Sequence, residues 1–273
     1  MDVIQRNLFR LIRCGVFGHD EQVEPMSAFK WGKLYKLAVM HHVTGPVYLG
    51  MQRCKDQFFF HMNDDLWKQW EKAALDYKEP TADQDNDLLS GDRLTNPVLN
   101  HKLQNILDDE NTDTAARQLL MGIITVARHI LNEGLPVILL VKLGSDLRNK
   151  GSRADYPTLQ QWLKSLKLEQ IAQLEGTLLI NLLGFEKEEI PFLQGKPDPK
   201  AEQVAQELME TTNLNLQDFY VTQEPESIFL HSSNGTAVMS HVKRSIRYFS
   251  YFPSETVTNF FASFAHSLSH IEE

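Results

Sequence analysis

A chain of 273 residues, 42% hydrophobic and 23% charged, can bury a substantial core, as one large domain or two small ones. Its formal charge of -9 and pI near 5.6 argue against a protein that coats nucleic acid, because that role needs a positive field to displace counterions from phosphates. No apolar run reaches the roughly 18 residues of a membrane span, and the start, MDVIQRNLFRLIRCG, lacks the uncharged core and cleavage site of a signal peptide, so a cytoplasmic address is expected.

Taken in chain order, the pattern is helical. Val3, Ile4, Leu8, Leu11 and Ile12 recur at spacings of three and four, which predicts an amphipathic helix ending near Gly15. Ser27 is placed to cap a second helix carrying Phe29, Trp31, Leu34, Leu37 and Ala38, and Thr44-Gly45-Pro46 breaks it before a shorter third. Residues 63 to 78 predict a fourth, with Asp64 and Asp65 near its positive N-terminal end. This first helical segment spans 1–78. The text then turns polar and acidic, EPTADQDNDLLSG, so 79–96 is expected to be a linker or loop before a C-terminal helical domain over 97–273, which can pack as one domain with 1–78.

Helical pattern resumes at Pro97, and 112 to 132 predicts a central, buried helix through Leu119, Leu120, Ile123, Ile124, Ala127, Ile130 and Leu131, stopped by Gly134. Residues 135–143, LPVILLVKL, fit a buried strand or a helix equally well on periodicity. Two helices joined near Lys167 follow, with Gly184 as C-cap. Residues 201 to 213 predict another helix, and DFYVTQ and SIFLHS are short enough for hairpin strands. Thr236 to Ser250 and the stretch from Ser254 predict the last two helices, the final one carrying Phe260, Phe261, Phe264, Leu268 and Ile271; its apolar excess suits either a core or a self-interface. Cys14 and Cys54 lack metal-type or disulfide-framework spacing and are expected to be reduced.

Three blocks of this chain, MDVIQRNLFRLIRCG with EPMSAFKWGKLYKLA, GSDLRNKGSRADYPTLQQWLKSLKLEQIAQLEGTLLINLLGFEKEEIPF, and VKRSIRYFSYFPSETVTNFFASFAHSLSHIEE, resemble a bacterial group of uncharacterised nucleotidyltransferase-like proteins. The resemblance implies a helical scaffold around a polymerase-beta-like lobe. That lobe's lysine-glycine turn, arginine and Gly-Asp-x-Asp stretch has no counterpart here, and the chain is shorter around 79 to 111. The expected fold class is therefore mostly α, a multi-helix bundle with at most a small β-hairpin; the alternative is α+β with a reduced nucleotidyltransferase-type sheet.

Nucleotidyl transfer needs two divalent cations roughly 4 Å apart, held by carboxylates that alternate along a strand. After Gly144-Ser145, Asp155 is followed at the partner position by Pro157, which cannot ligate. A helix boundary explains these residues better, with Gly151 ending one helix and Asp155 capping the next. Asp83, Asp85 and Asp87 alternate but lack the flanking apolar run of a buried strand. His266 and His270 share a helical face, with Glu273 nearby, and would need a third metal ligand from elsewhere; the adjacent His41 and His42 diverge.

The remaining candidate is HVKRSIRYFSYF, residues 241 to 252. Lys243, Arg244 and Arg247 form a basic cluster, Tyr248 and Tyr251 offer stacking planes for a phosphate or single-stranded nucleic acid, and Ile246, Phe249 and Phe252 are expected to face the core. The leading expectation is a non-catalytic interaction or scaffold module, with a protein partner or a second copy of itself, and no cofactor or metal. The alternatives are a divergent Mg²⁺-dependent nucleotidyltransferase, and anion binding through Lys243, Arg244, Arg247 and Tyr248.

Overall fold

The computed structural model describes residues 1–57, 60, 62–77, 89–132, 134–207, 209 and 245–269, with side chains as far as 262 in the last helix. Among these residues the regular structure is helical throughout, without a strand. The fold is mostly α. The two segments read as hairpin strands lie outside the described residues.

Helix α1, Val3–Phe17, starts at a capping box in which the Asp2 carboxylate accepts from the amides of Ile4 and Gln5, both at 2.9 Å, and the Gln5 side chain accepts from the Asp2 amide at 3.0 Å. Its inner face, Leu8, Leu11 and Ile12, is fully buried. α2, Ala28–Met40, is capped by Ser27 as expected; Phe29 is 70% exposed rather than part of the buried stripe, since Trp31, Leu34, Leu37 and Ala38 complete that face without it. α3, Thr44–Cys54, crosses α1 with backbones in contact, which glycine alone permits: a Cβ at Gly50 would stand 1.9 Å from the Leu11 carbonyl oxygen. α4, Asp64–Leu75, closes this side, with Trp70 buried edge-on to Tyr35.

Leu89 and Leu94 are buried, and Gly91 packs against α6, where an added Cβ would meet the Met121 carbonyl at 2.4 Å. The end of the 79–96 stretch is thus part of the packed body. α5, Pro97–Asp108, leads to α6, Thr114–Asn132. α6 buries Leu119, Leu120, Ile123, Ile124, Ala127 and Ile130 and touches α7 (Val137–Lys150), α8 (Tyr156–Ser165), α9 (Glu169–Leu183) and the last helix, α10 (Pro253–Ser269). The ambiguous 135–143 run is helical: Val137, Leu140, Val141, Gly144 and Leu147 bury one face at helical spacing, and that periodicity continues past the apolar run.

Asp155 caps α8, accepting from the Thr158 amide at 3.1 Å, with Pro157 in the first turn. Lys167, with φ 58°, turns the chain into α9, and Gly184 ends α9 with φ 69°. The Arg148 guanidinium lies 4.9 Å from the Phe17 ring centroid and 4.4 Å from that of Phe185, joining the ends of α1, α7 and α9. Leu89 apart, the buried apolar residues, from Leu8 to Phe252, form one cluster. No described helix is long and apolar enough to cross a membrane.

Candidate interaction surface

α10 reverses the usual amphipathic arrangement. Its buried face carries Glu255, Thr256 and Asn259, exposed by 3% or less. The Glu255 carboxylate accepts from Arg128 Nη1 of α6 at 2.9 Å and from the backbone amides of Thr95 and Asn96, and Arg128 Nη1 also donates to the Arg93 carbonyl at 3.1 Å. One turn on, Asn259 and Asn132 exchange amide hydrogen bonds at 2.9 and 3.2 Å. The Thr258 and Thr95 hydroxyls meet at 2.8 Å. A buried carboxylate survives only when such donors replace its water; Glu255 and Asn259 are matched to partners on α6 or on the 93–96 segment, while the Thr256 hydroxyl donates to the Phe252 carbonyl at 2.7 Å.

As far as residue 262, the described part of the solvent face of α10 is apolar. Val257 is 44% and Phe261 65% exposed, and the helical turn over 245–248 sets Ile246 (74%) and Phe249 (50%) beside them. With Phe260, these side chains line a groove of about 450 Å³ whose other lining residues are Ser245 and Thr256. Scattered exposed apolar residues are ordinary; here four large ones converge on one groove as a contiguous apolar patch. The polar seam behind the groove holds it in register with the core.

The structure divides the basic-aromatic stretch. Lys243 and Arg244 lie outside the described residues. Arg247 is exposed and paired with Glu207 at 2.8 Å. Tyr248 and Tyr251 are 3% and 7% exposed and pack on each other with centroids 6.3 Å apart, so neither presents a stacking plane. The orientation expected for Ile246 and Phe249 is inverted, because the helical turn ends at Tyr248 and the chain bends before α10, bringing both tyrosines and Phe252 inward. Phe252 is buried as expected.

The other candidates resolve as follows. Gly144 and Ser145 lie inside α7. Asp155 is joined by Asp113, a neighbour that sequence reasoning missed: Asp113 Oδ2 accepts from the Asp155 amide at 2.8 Å and the Ala116 amide at 3.1 Å. These backbone donors, the Asp155 amide foremost, hold the Asp113 carboxyl below its usual range. Both aspartates are engaged in capping. His41 is buried, its Nδ1 accepting from the Val137 amide at 3.3 Å, while His42 is exposed. Asp83, Asp85, Asp87, His270 and Glu273, and the side chain of His266, lie outside the described residues. Among the described residues no three His, Cys, Asp or Glu side chains are grouped to hold a metal ion. The signal for α10 was present in the sequence as Glu255 and Asn259 one turn apart, a polar pair that reads as solvated until its partners on α6 are known.

No family model, curated protein or solved structure matches this chain.

Proposed function

We propose that this protein is a non-catalytic interaction module whose groove on α10 receives an apolar, amphipathic helical segment of a partner protein. The observation that carries the reading is the inverted α10: an apolar face turned to solvent on a helix whose polar face is locked into the core. The lining selects the occupant. It offers two hydroxyls and no charged group, so it suits neither phosphate nor carboxylate. No strand edge is available among the described residues, so an extended peptide would leave its backbone groups unpaired, whereas a helix satisfies its own. The resemblance to nucleotidyltransferase-like proteins lies in helical segments, and the proposal assigns this chain a scaffold role within that resemblance.

The test is selection from a displayed library of amphipathic helical peptides against the intact protein, followed by affinity measurement with Phe249→Asp and Phe261→Asp. Both positions are exposed, so the variants should unfold like the parent. The proposal requires enrichment of peptides with apolar residues at helical spacing and at least about tenfold weaker binding to each variant, on the scale of a lost hot-spot side chain. Unselected peptides, or selected ones indifferent to both substitutions, would overturn it. Concentration-dependent dimerisation abolished by Phe261→Asp would replace the partner with a second copy.

A further inference from the structure

A second cavity, of about 480 Å³, shares no lining residue with the groove on α10 and falls within the roughly 300–1,000 Å³ of small-molecule sites. Its walls are α8, the first turns of α9, the irregular segment 191–200 and the Ser250–Tyr251 corner. Side chains tie these walls together. Gln160 on α8 donates through Nε2 to the Pro191 carbonyl at 3.0 Å, and Gln173 on α9 donates in the same way to the Lys196 carbonyl at 2.6 Å. The Asp198 amide donates to the Thr177 hydroxyl at 2.9 Å, and that hydroxyl donates to the Gln173 carbonyl at 2.7 Å. The segment is thus held against α8 and α9 by bonds that need no ligand.

The anchoring leaves a defined set of groups for an occupant. Gln160 and Gln173 commit their amide nitrogens to the wall, and among the described residues neither Oε1 accepts a hydrogen bond. Gln170 and Gln194 add two further amides. The charges balance: Lys196 and Lys200 stand against Glu169 and Asp198, and among the described residues no two of these four form an ion pair. The floor is apolar, with Leu163 2% and Phe192 4% exposed. Tyr251 lines the cavity as well; it is 7% exposed, and its buried hydroxyl has no hydrogen-bond partner among the described residues. A buried hydroxyl left without a partner costs stability, and an oxygen brought in by a ligand would satisfy it.

We propose that this cavity binds a neutral, hydroxyl-rich ligand, one or two rings of a saccharide, with Tyr251 and the glutamine amides as its hydrogen-bonding groups. A hydroxyl both donates and accepts, so a run of them can donate to the amide oxygens and carboxylates and accept from the Tyr251 hydroxyl and the lysines, a mixture that a purely accepting ligand would leave half unmatched. The balanced charge excludes phosphate and carboxylate as the selected group, because attraction of an anion needs a net positive field. Leu163 and Phe192 then meet the C–H face of the ring, the usual division of a small-molecule site into an apolar bed and a few placed polar groups. The site stands independently of the α10 groove.

Saturation-transfer NMR of the intact protein against a panel of neutral hexoses, N-acetylhexosamines and their disaccharides tests this, with titration of whatever binds. At least one saccharide should bind, at least about tenfold more weakly to Tyr251→Phe, the scale of one lost hydrogen bond to a buried group. Gln170→Ala should weaken it several-fold, and Phe261→Asp on α10 should leave it unchanged. Without sugar, Tyr251→Phe should melt no lower than the parent, since the hydroxyl it loses is unpaired, so its weaker binding reports the site rather than the fold. A panel without a binder overturns the proposal, as does binding that Tyr251→Phe leaves intact or a Tyr251→Phe protein that melts lower. Inorganic phosphate or a free amino acid that displaces every bound saccharide overturns the choice of a neutral ligand.

Discussion

Arg128 on α6 and Glu255 on α10 form a 2.9 Å ion pair in which the two side chains are 1% and 0% exposed. Glu255→Ala would leave the Arg128 charge buried beside the empty place of its partner and strip acceptors from the Thr95 and Asn96 amides. A loss of about 3–5 kcal/mol is expected. Replacing both partners with apolar side chains, Arg128→Met with Glu255→Leu, should cost less than Glu255→Ala alone, because the two buried charges are removed together. Urea denaturation of the three proteins checks the ranking, and amide exchange should show α10 opening first in Glu255→Ala.

The α1–α3 crossing makes a contrast between two glycines. A Cβ at Gly50 would meet the Leu11 carbonyl oxygen at 1.9 Å and its carbon at 2.6 Å, both backbone atoms with no rotamer to yield, while one at Gly32 in α2 would meet nothing within 4 Å. Gly50→Ala should therefore force the helices apart at a cost of about 2–4 kcal/mol. Gly32→Ala should stabilise by roughly 0.5–1 kcal/mol through helix propensity. Thermal unfolding of the pair measures both, and equal effects would contradict the described contact.

Local chemistry was what the sequence made legible. Asp155 with Pro157, Ser27, and the Gly184 cap each depend on residues within a few positions, and each sits where its spacing placed it. The run 135–143 was ambiguous because a short apolar stretch satisfies both periods; burial extending to Leu147 decides it. The polar face of α10 was illegible for a different reason. Glu255 and Asn259 find their partners 127 positions away, and without Arg128 and Asn132 they read as solvent-facing. That left the apolar face of α10 open between a core and a self-interface, and hid the groove. Tyr248 and Ile246 exchanged faces because the bend after Tyr248 is set by packing, which a helical projection of 236–250 does not contain.

Glu175 in α9 is 0% exposed, and among the described residues neither of its carboxyl oxygens has a hydrogen-bond partner. Burial pushes its carboxyl well above the usual range, so the folded protein keeps it protonated. A raised folded value means that this group's contribution to stability is fully present below the unfolded value near 4.5 and is lost as pH rises toward the folded one. Glu175→Gln should remove this decline, and Glu175→Leu should raise stability at neutral pH by about 1–3 kcal/mol, the cost of an unpaired buried polar group. Denaturant midpoints across the acid-to-neutral range would show the parent curve and the Glu175→Gln curve converging as pH falls.

His41 has the opposite sign. It is 2% exposed, its Nδ1 accepts from the Val137 amide, and burial, with His42 adding repulsion, brings it from 6.5 to about 4. The unfolded chain therefore binds a proton between these values that the folded chain refuses, so stability from this group is present above 6.5 and is lost as pH falls toward 4. At 1.36 kcal/mol per unit the full loss is on the order of 3 kcal/mol. His129 is also lowered to about 4, by burial and by Arg128, so His41→Gln should remove only part of the acid instability while keeping an acceptor for Val137. Melting temperatures measured from neutral pH down to about 4 should fall less steeply for His41→Gln than for the parent. Parallel curves would mean that His41 is protonated in the folded protein, which its single acceptor bond and sealed position forbid.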